Sequence, residues 1–195
     1  TAIVELQNLL DSIEQEIIEF WPRNKTITPD DVRGNSETLS RAIMENGWPL
    51  LDDSRGKAMF ILLSSGELRQ SYHDKFPGLI EAKMFTMSET GSSEAAIFSD
   101  TDPVGNADEI IALVKDGYIV RSRADNAENG EADENNKTRL NAALSVGAHS
   151  ISTDYPAKVE GIDYWVDIPE GNPVACNPIS APIDCTSERI NKILN

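Results

Sequence analysis

Residues 117–125 read GYIVRSRAD, and residues 147–156 read GAHSISTDYP. Each stretch starts at a glycine turn, continues as a short extended segment and reaches an acidic residue, Asp125 in the first and Asp154 in the second. In both cases a helical pattern precedes the glycine. Two such units in succession predict parallel strands whose carboxyl ends carry polar groups.

The first of these strands carries an unusual charged face. Successive side chains of an extended chain point to opposite faces, so Ile119, Arg121, Arg123 and Asp125 share one side. Three charged groups on one face are costly unless the face meets water, an internal ion network or an anion. This face is therefore the first candidate for a binding site.

Elsewhere the chain alternates between helical and extended patterns. Predicted helices end near residue 20 and cover 36–46, 106–115 and 136–146, with Ser36 and Asn106 as their expected amino-terminal caps in two cases. Predicted strands cover 58–63, 84–88, 118–124 and 149–153, with 164–169 as a candidate addition. Residues 23–34 are predicted as a loop, 64–72 as a loop or short helix, and 95–98 are left open. The alternation indicates a parallel α/β sheet or barrel, and a doubly wound fold is the structural rival.

The net charge of the chain limits the kinds of molecule that it is expected to bind. The chain has 195 residues, with 17 basic and 33 acidic side chains and a formal net charge of −16. This balance argues against nucleic acid and against simple electrostatic adhesion to anionic lipid. A solvated acidic surface is the preferred interpretation, and the alternatives are binding of divalent cations and a salty environment.

Two cysteines, Cys176 and Cys185, lie nine residues apart with two prolines between them and no histidine nearby. This arrangement favours a small disulfide loop over a metal site. A disulfide predicts a secreted or periplasmic location. The chain opens directly in a helical pattern, which predicts that further sequence precedes Thr1.

Several blocks of sequence resemble the bacterial calcium-dependent phosphoinositide phospholipase C family. They are GWPLLDDSRGKAMFIL at 47–62, DGYIVRSRAD at 116–125, NKTRLNAALSVGAHSISTDYP at 136–156 and CNPISAP at 176–182. The TDYP ending is also similar to the wider glycerophosphodiester phosphodiesterase barrels. The resemblance covers nearly the whole chain, from the ITPDDVRG segment to the last cysteine.

This resemblance implies a (β/α)8 barrel, of which the chain looks like the later half, because a whole barrel takes about 250 residues. Residues 1–168 would form this half and residues 169–195 a disulfide-closed extension. The missing amino-terminal half of the barrel would then be a partner of the chain.

The resemblance also implies a chemistry, in which the inositol 2-hydroxyl attacks phosphorus and releases diacylglycerol and a cyclic phosphate. Two histidines and a bound Ca²⁺ perform it, and they are expected on early strands that precede Thr1, so this chain alone would be inactive. His73 and His149 do not match the catalytic positions. We expect His73 at the surface and His149 in a structural role.

The resemblance implies that this chain forms the part of the active site at the carboxyl ends of the later barrel strands. Arg121 and Arg123 are predicted phosphate contacts with Asp125 as their partner, and the alternative is an internal salt network. Asp154 is expected to orient a substrate hydroxyl or a metal-bound water, and the alternative is that it caps the turn that follows. Tyr155 is expected to line the inositol site or to pack beneath the tail.

The acidic loop 125–136 partly fits a helix-loop-helix calcium pattern through Asp125, Asn129 and Gly130. Ala127 and Asn136 stand where an oxygen ligand and a bidentate glutamate are required, so a solvated loop is preferred. The rival functions are a hydrolytic glycerophosphodiester phosphodiesterase and a noncatalytic barrel remnant that acts as a binding module. The expected ligand is a phosphodiester lipid or a soluble phosphodiester, with transient contact to a membrane surface.

Overall fold

The computed structural model describes residues 2–168 and 173–191. The chain divides into two compact units, Thr1–Phe98 and Ser99–Asn195. Both are mixed α/β with parallel strands. The predicted boundary between residues 168 and 169 falls beside residues outside the described part of the chain, and it stays a prediction.

The first unit places helices between short strands. Its helices are α1 (Ala2–Phe20), α2 (Pro29–Arg33), α3 (Leu39–Asn46), α4 (Leu51–Ser54) and α5 (Gly66–Lys75). Its strands are β1 (Thr26–Ile27), β2 (Ala58–Leu62) and β3 (Met84–Thr86), and β4 (Ile97–Ser99) crosses the boundary between the units. The first sheet has the order β1-β2-β3, and all its pairs are parallel. The predicted strands 58–63 and 84–88 are confirmed.

A buried polar network joins the helices of this unit to its sheet. Tyr72 of α5 is fully buried, and its hydroxyl donates to the carboxylate of Glu14 in α1. The same hydroxyl accepts from the Met84 amide at 3.1 Å, and Glu14 also accepts from the Lys83 amide at 3.0 Å. Every one of these polar groups is satisfied, which a buried site requires.

The second unit contains the predicted pair of strands. Its helices are α6 (Ala107–Lys115), α7 (Thr138–Ser145) and α8 (Ser187–Ile190), and its strands are β5 (Ile119–Arg123) and β6 (Ser150–Ser152). The second sheet has the order β4-β5-β6, and β5 pairs with β6 in parallel. The core of the unit is apolar, with Ile110, Val114, Val120, Leu140 and Ala143 nearly or fully buried. The two strands predicted from the glycine-led stretches are therefore confirmed.

The prediction of a loop over 23–34 is wrong. Thr26 and Ile27 form β1, paired with Ala58 and Met59 of β2, and helix α2 follows directly. Proline stands in the first turn of α2, and the Asp31 carboxylate accepts from the Thr28 amide at 2.7 Å. A two-residue strand is too short to show an alternating pattern, which is why the sequence did not reveal it.

One predicted helix cap is wrong, and the other is correct in position but not in its hydrogen bond. The hydroxyl of Thr38, not that of Ser36, accepts from the Arg41 amide at the start of α3. At α6 the Asn106 side chain makes no capping hydrogen bond and donates instead to Asp100. Residues 95–98, left open by the sequence, contribute to strand β4, and the polar segment 64–72 forms much of α5.

The carboxyl-terminal segment packs on the rest of the second unit through the disulfide loop. Cys176 and Cys185 are bonded, as predicted, with their Cα atoms 6.0 Å apart. Asn177 donates from Nδ2 to the Gly147 carbonyl at 2.7 Å, at the turn between α7 and β6. The candidate strand at 164–169 is not a strand over 164–168, although the Val166 amide donates to the Tyr155 carbonyl at 2.9 Å. Among the described residues, no helix combines the length and the apolar character needed to cross a bilayer.

Candidate functional site

The candidate site lies on one face of β5, in the second unit. Burial alternates along this strand, with Val120 and Ser122 fully buried and Arg121 and Arg123 only half-buried. The two arginines therefore share the predicted face. Because paired residues of parallel strands point the same way, the β6 partners of these arginines, the serines at 150 and 152, lie on that face as well.

Arg123 is held by the chain's own acceptors. Its Nε donates to the main-chain oxygen of Asp125 at 3.0 Å, and its Nη2 donates to Asp154 Oδ2 at 3.1 Å. The Asp154 side chain is 55% exposed, so the ion pair lies at the surface. This geometry brings three of the predicted residues together at the carboxyl ends of β5 and β6.

Arg121 has a different environment. Its Nη1 donates to the hydroxyl of Ser99, the last residue of β4, at 3.1 Å. Within the described part of the chain, no carboxylate lies within ion-pair distance of its guanidinium. The charge of Arg121 is therefore not neutralised by a neighbouring carboxylate, unlike that of Arg123.

Asp125 lies beneath this surface and is only 1% exposed. One carboxylate oxygen accepts from the Asp154 amide at 3.0 Å, and the other accepts from the Thr153 hydroxyl. The buried carboxylate thus fixes the main chain that carries Asp154. Direct contact between Asp125 and a ligand stays a prediction.

Tyr155 is half-buried, and its ring meets the Tyr164 ring edge-on with the centroids 5.5 Å apart. Tyr164 is fully buried, and its hydroxyl donates to the Ala124 carbonyl at 2.9 Å. Burial, and then the charge of Asp125, raises the pKa of Tyr164 to about 12. Sequence reasoning did not single out Tyr164, because no pattern marks the distant carbonyl that it meets.

The histidines lie at other places. His73, in the first unit, contacts the hydroxyl of the buried Thr86 through Nε2 at 2.9 Å and is half-buried. Burial lowers the pKa of His73, so the histidine predicted at the surface is only partly exposed. His149, in the second unit, accepts from the Val120 amide through Nδ1 at 3.2 Å, which is the structural role predicted for it.

The acidic loop is organised by its own hydrogen bonds. Glu131 is 6% exposed and accepts from Arg139 Nε at 2.8 Å and from the Asn126 amide at 3.0 Å. Burial acts to raise the pKa of Glu131, but these hydrogen bonds outweigh it and hold the pKa below its usual value. Arg139 also donates to the Thr101 carbonyl at 2.8 Å, so it joins the loop to the segment after β4.

The carboxylates of the acidic loop are the predicted candidates for binding Ca²⁺. The oxygens of Asp125 and Glu131 are already engaged by donors of the chain. Across 2–168 and 173–191, no group of three histidine, cysteine, aspartate or glutamate side chains is placed to hold a metal ion. The described side chains therefore do not fit a calcium site.

Comparison with known families identifies the chain. A family model described as phosphoinositide phospholipase C, Ca²⁺-dependent, matches residues 4–178. The chain belongs to this family. The family is a phospholipase C, a class of phosphoric diester hydrolases, and calcium dependence is part of its description. No curated protein and no solved structure matches the chain.

Proposed function

We propose that this chain forms the phosphate-contacting wall of a phospholipase C that cleaves phosphoinositide. One observation carries the proposal. Arg121 projects from the polar face of β5 with one neutral partner, Ser99, and no carboxylate partner among the described residues. A half-buried guanidinium with unused donors is matched by the oxygens of a phosphodiester.

The surroundings of Arg121 favour an anion on this face. Ser150 pairs with Arg121 across the sheet and Ser152 pairs with Arg123. Serine hydroxyls donate hydrogen bonds to phosphoryl oxygens without adding charge. The face therefore combines cationic and neutral donors, which is the chemistry that a phosphate group requires.

Arg121 is the better phosphate contact of the two arginines. Arg123 already donates to Asp154 and to the Asp125 main chain, so an anion would compete with a carboxylate for it. We assign to Arg123 the role of holding Asp154 in place. Asp154 has a half-exposed carboxylate, which is suited to accept a hydrogen bond from an inositol hydroxyl.

The parallel strands are proposed to be late strands of a (β/α)8 barrel. Within each sheet the strands follow one another in chain order, as they do in such a barrel. The catalytic residues of a barrel enzyme lie at the carboxyl ends of the strands, where Arg123 leads to Asp125 and β6 leads to Asp154. The disulfide is compatible with a secreted or periplasmic protein.

The acid-base groups are proposed to come from sequence outside this chain. His149 accepts from the Val120 amide, and His73 contacts Thr86 within the first unit, so we assign the acid-base role to neither. Ca²⁺, if held by oxygen ligands outside this chain, would offset the charge that develops on the phosphoryl group. The contribution of this chain is to bind and orient the phosphodiester and the inositol ring.

Binding of a soluble headgroup tests this assignment. Amide NMR spectra of the 195-residue chain, titrated with myo-inositol 1-phosphate, should show shifts at the ends of β5 and β6. Arg121→Gln should abolish these shifts, whereas Arg41→Gln, which removes an exposed arginine of α3, should leave them unchanged. Unchanged binding by a folded Arg121→Gln variant would overturn the proposal.

An assay of the protein together with any sequence that precedes Thr1 separates the enzyme classes. Incubation with phosphatidylinositol and Ca²⁺ should give a cyclic inositol phosphate, and removal of Ca²⁺ should stop its formation. Calcium-independent release of a free alcohol from glycerophosphodiesters, without a cyclic product, would instead identify a glycerophosphodiester phosphodiesterase.

A further inference from the structure

The segment that follows β6 protrudes into solvent next to the candidate site. Residues 156–162, here called the β6 tip, are exposed apart from the half-buried Ile162, and Val159 is 50% exposed. An antiparallel bridge between Val159 and Ile162 closes the tip. The tip begins two residues after Asp154, so it lies directly beyond the carboxyl end of β6.

Two lysines converge on one indole at this place. The ammonium group of Lys158, in the tip, lies 4.3 Å from the centroid of the Trp165 ring. The ammonium group of Lys137, from the start of α7, lies 4.8 Å from the same centroid. Trp165 is half-buried, and together with Thr153 and Pro156 it lines an open cavity of about 510 Å³.

Neither ammonium group has a carboxylate partner among the residues that the structure describes. Three acidic side chains, Glu160, Asp163 and Asp167, belong to the same segment, yet none forms an ion pair with either lysine in the described residues. Like charges that approach one ring repel each other, and an external anion near both would relieve this repulsion. The cluster therefore has unused positive charge within a strongly acidic protein.

We propose that the β6 tip, Lys137 and Trp165 together dock on the surface of an anionic lipid bilayer. Tryptophan has an apolar body and a polar N–H, and it is enriched at the interface between membrane and water. Lysines beside it are attracted to anionic headgroups. The exposed Val159 adds an apolar contact at the tip. This inference rests on the proposed function, because it brings the arginine face to the layer in which a phosphoinositide headgroup lies.

The net charge of −16 does not prevent such docking. At physiological ionic strength charges are screened over about 8 Å, so the acidic residues far from the tip repel the membrane weakly. Glu160 and Asp163 are exposed in or beside the tip and oppose the two lysines, so Trp165 and Val159 supply the larger part of the affinity. Lys137 and Lys158 act at short range. The contact is local, and it differs from the adhesion of a basic protein over a broad surface.

Vesicle binding tests the docking surface. The 195-residue chain should co-sediment with phosphatidylcholine vesicles that contain phosphatidylinositol, and more weakly with phosphatidylcholine alone. Trp165→Ala should lower the affinity several-fold, and Lys137→Gln or Lys158→Gln should each lower it about fivefold for the anionic vesicles. The blue shift of tryptophan fluorescence on vesicle binding should disappear in Trp165→Phe.

Matched variants locate the surface. Trp21→Ala removes a tryptophan of the first unit that is 43% exposed, and Lys115→Gln removes an exposed lysine at the end of α6. Both should bind vesicles like the original chain. Loss of vesicle binding in Trp21→Ala, or full binding by the Trp165 and Lys158 variants, would overturn the proposal.

The soluble headgroup separates docking from recognition. Folded Trp165→Ala and Lys158→Gln variants should still bind myo-inositol 1-phosphate, because Arg121 is unchanged. Loss of that binding in the same variants would show that the segment recognises the headgroup itself, and the docking proposal would fail. Failure of Arg121→Gln to alter headgroup binding would reject the proposed function while leaving the vesicle result intact.

Discussion

The imidazole of His149 takes the place of a backbone carbonyl beside Val120. The His149 amide donates to the Val120 carbonyl at 2.8 Å, and the Val120 amide donates back to Nδ1 of the ring at 3.2 Å. The next pair along the strands is Arg121 with Ser150. One side chain thus satisfies the amide at which the pairing of β5 with β6 begins, and it fixes the register that aligns the arginines with the serines.

Replacement of His149 should weaken this pairing. His149→Phe leaves the Val120 amide without its acceptor, which costs about 1–3 kcal/mol in the free energy of unfolding. Chemical denaturation near neutral pH measures the loss. Hydrogen exchange of the Val120 amide should become faster in the variant. If the exchange stays slow, another group accepts from this amide, contrary to this prediction.

The same hydrogen bond predicts a dependence of stability on pH. Nδ1 accepts only when it is unprotonated, and although His149 is exposed overall, desolvation lowers its pKa in the folded state. The unfolded chain therefore binds a proton at His149 more readily than the folded chain does. The free energy of unfolding is therefore highest above the ordinary histidine pKa of about 6.5 and falls as the pH drops through the folded-state value. His73 has a lowered pKa as well, so comparison with His149→Phe isolates the contribution of His149.

Removal of Glu131 should destabilise the second unit. Glu131 and Arg139 form an ion pair with side chains 8% and 17% exposed. Glu131→Ala removes the nearer partner of a largely buried guanidinium and leaves Arg139 with Asp102 at 3.5 Å, so we expect a cost of about 1–3 kcal/mol. Glu128→Ala, at an exposed position in the same loop, is the matched control and should cost little. Equal losses in the two variants would contradict the special role of Glu131.

Low pH should reproduce part of the loss of stability expected for Glu131→Ala. The pKa of Glu131 is lowered in the folded state, so its contribution to stability is present above the ordinary glutamate pKa of 4.5 and is lost as the pH falls through the folded-state value. The original chain should lose more stability than Glu131→Ala between about pH 7 and about pH 3. Denaturant titrations at both pH values measure the difference.

The buried hydroxyl of Tyr72 gives a prediction for the first unit. Tyr72→Phe removes the donor to Glu14 and leaves the Met84 amide without an acceptor, at a cost of about 1–3 kcal/mol. Burial, and then the contact with Glu14, raises the pKa of Tyr72, so the hydroxyl stays protonated at all ordinary pH values. Glu14→Gln keeps an oxygen acceptor and should lose less, as thermal unfolding would report. A larger loss in Glu14→Gln would contradict this account.

The sequence predicted those parts of the fold that local pattern determines. Glycine turns and alternation at 117–125 and 147–156 correctly gave β5, β6 and the shared face of Arg121 and Arg123. The two-residue strand β1 carries no periodic pattern and was missed.

The sequence could not predict contacts between residues that are far apart in the chain. Spacing does not reveal that Ser99 meets Arg121, which is 22 residues away in the chain, or that a hydrogen bond joins His73 to Thr86. The burial of Asp125 follows from Thr153 and the Asp154 amide, which close over its carboxylate. Such contacts depend on tertiary packing, and local residue patterns do not encode them.

Gly147 tests how firmly the disulfide loop is attached to the second unit. Its φ is +74°, and a Cβ at this position would lie 2.7 Å from Asn177 Oδ1 and 2.8 Å from Ile179 Cγ1. Gly147→Ala thus adds a clash to the cost of a left-handed backbone. Gly130 has a φ of +72° with no atom within 4 Å of such a Cβ, so Gly130→Ala carries the backbone cost alone, about 1–2 kcal/mol.

We expect Gly147→Ala to lose clearly more stability than Gly130→Ala. A mild reductant should also open Cys176–Cys185 faster in Gly147→Ala, because the clash pushes the disulfide loop away from the turn. Equal unfolding free energies and equal reduction rates in the two variants would show that the loop is not held against Gly147.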